Sequence, residues 1–265
     1  MKHYLSSIIL ASFLISCAGK SEQKPEDPES MYKLAQEAYA KEEYAKAAKL
    51  FSQLEQEFPY SRHTKDGLLK TAYSHFEVEE YEAAATTTKR FLELYPGSEN
   101  SDYALHLLSL CYYNRISDAR RDLATAKEAR KYFRELIGRY PDSEYAVDAQ
   151  IKLDFVNNQI AAKDMLVGRF YLEQDQIPAA INRFKNVVRR HQTTDHVKEA
   201  LFRLTESYLI LGLQDPAHKA ALLLGHNYPD SPWYHDAYQL MKQHNPNFVP
   251  TKLSEEDEKS FWEIF

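Results

Sequence analysis

Five times along this chain an alanine stands twelve residues before a helix-ending position: Ala47, Ala84, Ala129, Ala180 and Ala217 precede Pro59, Pro96, Pro141, Gln192 and Pro229. Phe51, Thr88, Phe133, Phe184 and Ala221 stand eight residues before the same positions, and Ser61, Ser98, Ser143 and Ser231 follow the prolines by two. In the first unit, Tyr44 to Ser61, residues Ala47, Ala48, Phe51, Leu54 and Phe58 recur at helical spacing and line one face, while Lys46, Lys49, Gln53 and Glu57 take the others. A helix with a single apolar stripe cannot bury it alone. Recurrence in fixed register therefore predicts helices that stack on their neighbours, each unit completing the core of the next.

The pattern resembles the tetratricopeptide repeat, whose small residue lets two helices approach, whose aromatic fills the space beside them, and whose proline turns the chain into the next pair. The fourth unit matches best, with Gly168, Tyr171, Ala180 and Phe184 at the repeat's glycine, tyrosine, alanine and phenylalanine positions; the second carries Thr88 instead of phenylalanine. The resemblance implies an all-α, right-handed solenoid of about five helix pairs over residues 31–59, 62–96, 98–141, 143–192 and 195–229, closed by a capping helix at 232–243. The first helix is read from Met31 to about Lys41, opened by Pro28, Glu29 and Ser30.

The terminators lie 37, 45, 51 and 37 residues apart, against a usual repeat of about 34, so the third and fourth units carry insertions. One is the charged stretch Arg115 to Asp122, read as a projecting loop. The other is helical. Apolar residues continue from Ser143 through Val147, Ile151, Phe155, Ile160, Met165 and Phe170 to about Glu173 without a proline, which predicts one long helix joining two halves, with its partner from Pro178 to His191. Gln192 departs from the repeat's proline, which leaves the turn before the fifth unit open.

Seven glycines, eleven prolines and the lack of alternating apolar and polar runs argue against strands. A net charge of −6 offers no electrostatic footprint for nucleic acid. Most of the nineteen tyrosines, among them Tyr39, Tyr73, Tyr103, Tyr171 and Tyr208, fall at helix-packing positions. Glu77, Glu79 and Glu80 read as a solvated turn before Tyr81, because no histidine or cysteine is spaced to join them around a metal. His191 and His196, five apart across a turn, read as solvated, and Cys111, one turn beyond Leu107, as a packed thiol. Zinc-protease, nucleophile-elbow, paired-cysteine and phosphate-loop motifs are absent. No catalytic residue, metal site or cofactor is predicted, and the chain is read as a non-enzyme.

The strongest functional signal lies at the start. Lys2 is followed by an apolar run from Leu5 to Ile15, too short for a permanent membrane helix, and residues 1–16 read as a signal peptide. Leu14-Ile15-Ser16-Cys17 resembles the lipobox of bacterial lipoproteins, in which the cysteine becomes an acylated N-terminus, so Cys17 is the predicted lipidation site. Ala18 after that cysteine resembles a permit for the outer membrane. Residues 17–30 are, apart from Gln23, small, charged or proline and read as a lipidated tether. Residues 244–265 form a C-terminal tail, and the part after Pro250, ending in Phe261, Trp262, Ile264 and Phe265, is read as a partner-binding segment, with packing on the chain's own last helices as the other reading.

Lipobox, tether, five irregularly spaced repeats, the insertion in the third and the long helix before Pro178 together resemble the BamD family, lipoproteins of the outer-membrane β-barrel assembly machine. The resemblance covers about Cys17 to Gln243, with matching stretches at Glu57-Phe-Pro-Tyr-Ser61, Tyr140-Pro-Asp-Ser-Glu-Tyr145, Gly168-Arg-Phe-Tyr171 and Asn182-Arg183. It implies a lipid-anchored scaffold on the periplasmic side of the outer membrane. The N-terminal repeats are implied to form a groove for unfolded β-barrel precursors, with Tyr39, Tyr60, Tyr73 and Phe76 as candidate contacts. The C-terminal repeats and inserted loop are implied to dock the barrel subunit's periplasmic domains and accessory lipoproteins, with Arg183 and Asp118 as candidates. Two other readings fit less of the chain. A periplasmic repeat protein coordinating envelope constriction or peptidoglycan synthesis would bring an N-terminal coiled coil and no lipobox. A lipoprotein lytic transglycosylase would need a catalytic domain for which no segment remains.

Overall fold

A computed structural model describes residues 27–116 and 123–249, so Cys17, Asp118 and the terminal aromatics lie outside the described residues. Within them the chain is helical throughout: α1 (Pro28–Ala40), α2 (Tyr44–Glu57), α3 (Thr64–Glu77), α4 (Tyr81–Leu94), α5 (Ser101–Tyr113), α6 (Ala124–Arg139), α7 (Glu144–Glu173), α8 (Ile177–Arg190), α9 (His196–Ile210), α10 (Gln214–Asn227) and α11 (Pro232–His244). Each helix packs on the next, giving five consecutive pairs and a capping helix that rests on α9 and α10. This is the all-α helix-pair solenoid that the repeat implies.

Local chemistry sets the boundaries. Asp27 caps α1 by accepting from the Glu29 and Ser30 N–H groups at 3.0 Å, so the helix begins at Pro28, three residues before Met31. The second helices of all five pairs end alike, on Phe58, Tyr95, Tyr140, His191 and Tyr228, with φ between −131° and −139° and an N–H that reaches back to the carbonyl four residues earlier. The third residue beyond each end then donates to its carbonyl; Ser61 to Phe58 and Thr194 to His191 both measure 3.0 Å. Gln192 therefore leaves the turn unchanged, and the buried Thr194 hydroxyl adds a 2.7 Å bond to the His191 carbonyl. Between the helices of a pair, Glu42, Glu79, Asp175 and Gly212 occupy one equivalent left-handed position, and glycine is used in the last alone. Glu79 is exposed there, and Glu80 pairs with His75 at 2.6 Å.

The register seen in the sequence is the register of the core. All five fixed alanines and all five residues four places on are fully buried. Thr88 is tolerated among them because its hydroxyl donates to the Ala84 carbonyl at 2.7 Å. Cys111 is likewise buried, and burial pushes its thiol up to about 12.

The 30-residue α7 belongs to two cores. Its Ala149, Leu153, Val156 and Ile160 pack with α5 and α6, whereas Ala161 and Met165 pack with α8 to α10. Gly168 makes the second union possible, since a Cβ there would stand 2.5 Å from the Phe184 ring. Beyond neighbours in sequence, the substantial contacts run along the odd-numbered helices: α3 with α5, α5 with α7, α7 with α9 and α9 with α11. Closer spacing along that series makes it the concave side of the stack.

Candidate functional site

The concave side of the first repeats carries a continuous polar-aromatic stripe. Helical spacing places Tyr32 and Tyr39 on one line of α1, and Asp66, Lys70, Tyr73 and Glu77 on one line of α3. The two lines meet. The Tyr32 hydroxyl donates to Asp66 at 2.5 Å, Lys70 pairs with Asp66 at 2.9 Å, and the Lys70 ammonium lies 5.6 and 5.7 Å from the centres of the Tyr32 and Tyr39 rings. Tyr39, Tyr44 and Tyr73 form a cluster with ring centres 5.7 to 5.9 Å apart.

The stripe continues on α5 and α7. Tyr103 meets Tyr145 at 5.5 Å, His106 stacks on Tyr145 at 5.0 Å, and His106 is bonded to Asp148 at 2.7 Å. Burial alone would raise the Asp148 carboxyl, but hydrogen bonds from Lys152 and His106 outweigh it and hold the group below its ordinary value. The stripe reaches Tyr113 and the exposed Phe155, 5.5 Å apart.

Desolvation, with Tyr44, Glu77 and Asp66 nearby, raises the Tyr39 phenol to about 12. Tyr73 is also raised, by desolvation and by the Glu77 carboxylate. Both therefore stay neutral near pH 7, presenting ring faces and hydroxyls rather than charge. Such a surface suits an extended peptide that offers alternating apolar side chains and free backbone groups.

Of the four aromatics singled out in the sequence, Tyr39 and Tyr73 come together at 5.9 Å on this face. Phe76 turns toward α4, its ring 5.5 Å from Tyr81 and partly buried against the core of the next repeats. Tyr60 stands on the turn between α2 and α3, 99% exposed and outside the aromatic network of the described residues. Sequence reading did not single out Tyr32, Lys70, Tyr145 or His106, which share this face, and placed Tyr103 at a helix-packing position. The seven-residue spacings Tyr32 to Tyr39 and Asp66 to Tyr73 were the available signal.

Arg183 lies at the other surface, on α8, where it meets Asp164 of α7 at 3.2 Å. His191, read as solvated, is only 3% exposed. It ends α8 against α6 and α7, lining the same cavity as Arg183. His196 is half-buried. Desolvation lowers both imidazoles, with Arg130 assisting at His191.

Fold and groove define a class: a helix-pair repeat scaffold of the tetratricopeptide type, with an aromatic concave face and a charged flank. The particular family follows from comparison with known proteins. Residues 24–223 match the YfiO outer membrane lipoprotein family, and the chain belongs to it. It is 38% identical over 257 residues to the outer membrane protein assembly factor BamD of Caulobacter vibrioides, covering 94% of this chain and 84% of that one. The protein of the same name from Rickettsia prowazekii is 41% identical over 204 residues, covering 77% and 81% of the two chains. That of Neisseria meningitidis (strain Z2491) is 32% identical over 256 residues, covering 90% and 96%.

Proposed function

We propose that this chain is a non-catalytic scaffold for assembly of β-barrel proteins into the outer membrane, held on the periplasmic side by acyl chains on Cys17. Residues 1–16 are its signal peptide, 17–27 its tether, 28–249 its working solenoid, with Phe248 packed into the last core, and the residues after Pro250 a partner-binding tail. The concave stripe of the first repeats receives unfolded barrel precursors. The later repeats dock the barrel subunit's periplasmic domains through Arg183, with Asp118 as a second contact, and offer surface to accessory lipoproteins. No cofactor or nucleic acid enters this reading.

The observation that carries it is the concave stripe itself. Tyr39, Tyr73, Tyr103 and Tyr145 run across four successive odd-numbered helices, with the Lys70-Asp66 and Lys152-Asp148 pairs interleaved. Aromatic faces give affinity to apolar side chains of any identity, and interleaved polar groups satisfy an extended backbone. Family membership supports the outer-membrane setting.

Photo-crosslinkers at Gln36, Lys70 and Glu77, on the concave lines of α1 and α3, should capture a synthetic C-terminal strand of a barrel precursor. Crosslinkers at Gln56 and Thr86, on the opposite helices α2 and α4, should not. Capture confined to α2 and α4, or to residues beyond 180, would overturn the assignment of the groove.

A further inference from the structure

A cavity of about 660 Å³ opens between α6 and α8, with α7 between them. Lys127 and Arg130 of α6, Lys163 of α7, and Arg183 and Arg190 of α8 line it, against the single carboxylate of Asp164. This positive concentration occurs in a chain of net charge −6. Among the described residues, Lys127, Arg130 and Arg190 have no carboxylate partner. Arg130 is half-buried, and desolvation together with Arg134 and Arg190 lowers its proton affinity. A guanidinium that has no carboxylate among the described residues is costly in that setting unless an anion meets it. A second, independent sign is the His191 side chain, nearly fully buried on the same wall, whose Nδ1 has no hydrogen-bond partner.

The internal carboxylate is held loosely. Arg183 reaches Asp164 through one contact, Nη1 to Oδ1 at 3.2 Å. Arg169, one turn further along α7, places its Nη1 2.9 Å from both oxygens of Glu199. A guanidinium can offer a carboxylate two parallel bonds, and the Arg183 pair uses none of that geometry. Arg183 is therefore capped rather than locked, while Arg130 and Arg190 have no carboxylate partner among the described residues. One incoming carboxylate at Arg183 would leave Arg130 and Arg190 without a carboxylate among the described residues.

We propose that this cavity is a receptor for an acidic protein segment carrying at least two carboxylates, and that Asp164 is an internal stand-in which one of them replaces at Arg183. The inference rests on the reading of Arg183 as the docking arginine. It adds a second anchoring point at Arg130 and Arg190 and a threshold for docking, since binding must first displace the Asp164 carboxylate. Charge complementarity selects the occupant: cations drawn from three helices suit a segment whose carboxylates are spread along a chain.

The test uses the lipidated full-length protein in detergent and the purified periplasmic domains of the barrel subunit from the same genome. Affinity is measured at two salt concentrations, and melting temperature checks the fold of each variant. Asp164→Asn should tighten binding by roughly three- to tenfold, the scale of one partly exposed ion pair removed from competition. The double variant Arg130→Ala/Arg190→Ala should lose at least about tenfold and show a weaker salt dependence. Weaker binding by Asp164→Asn would show that Asp164 orients Arg183 for the partner, and would overturn the stand-in role. Unchanged binding by the double variant would overturn the receptor. If Arg183→Ala binds normally, the docking reading itself fails; if Arg183→Ala and Asp164→Asn both lose affinity, only the present inference fails. Inorganic phosphate bound by the isolated wild-type protein and lost in the double variant would reassign the cavity to phosphate and overturn the proposal.

Discussion

Gly168→Ala tests whether the approach of α7 to α8 is as close as the repeat requires. A Cβ at this position would stand 2.5 Å from Cε1, 2.9 Å from Cδ1 and 3.0 Å from Cζ of Phe184. Non-bonded carbons rest at about 3.5 to 4.0 Å, so the ring must retreat by about 1 Å. Phe184 is fully buried among Ala161, Met165, Val188 and Leu201, and a close-packed interior offers it no space. Alanine gains about 1 kcal/mol in helix propensity, whereas overpacking costs typically 1–3 kcal/mol. Three ring atoms in conflict place this site toward the upper end, for a net loss of about 1–2 kcal/mol.

Gly138 of α6 supplies the control, because nothing lies within 4 Å of its added Cβ; Gly138→Ala should be neutral or gain up to about 1 kcal/mol. Urea unfolding of both variants, followed by circular dichroism at the helical band, reads the two signs directly. Asp164 stands one turn before Gly168, and Arg183 immediately precedes Phe184, so a displaced α8 should also lengthen the 3.2 Å ion pair and change docking affinity. A Gly168→Ala protein as stable as the wild type would refute the reasoning, since the ring would then have had room to move.

Two further outcomes are expected. His191 and His196 titrate below the ordinary histidine value in the folded chain, so the unfolded chain binds more protons once pH falls below about 6.5. Stability should therefore hold at higher pH and fall progressively as pH drops through that value; urea midpoints should show the loss, and His191→Gln should shrink it, whereas an unchanged slope would place its origin elsewhere. Gln192→Pro should stabilise by about 0.4–1 kcal/mol, because His191, at φ −134° and ψ 40°, is close to the φ of −131° to −134° and ψ of 57° to 61° found before Pro59, Pro96 and Pro141, and the Gln192 N–H makes no hydrogen bond among the described residues. A lower melting temperature for Gln192→Pro would show that the fifth turn differs from the rest.

The sequence by itself determined the repeat. Alanine, aromatic and terminator recur in fixed register, and each fixed alanine proves fully buried, because burial within a helix pair follows from spacing along a single helix. The same local logic carried α7 from Ser143 to Glu173 and kept Cys111 in the core. Its limit showed at His191, where polarity and a nearby turn suggested solvent but two neighbouring helices close over the ring. Tertiary structure alone decided which distant residues meet. Tyr32 and Asp66 are 34 residues apart and His106 and Asp148 are 42 apart, yet each pair bonds across helices that the solenoid sets side by side. Asp164 and Arg183 became partners in the same way, and Arg130 and Arg190 became neighbours of that pair through the packing of α6, α7 and α8. Periodicity states which face of a helix is buried; it does not state which helix lies opposite or how far that helix has slid along its axis, and the groove and the cavity depend on both.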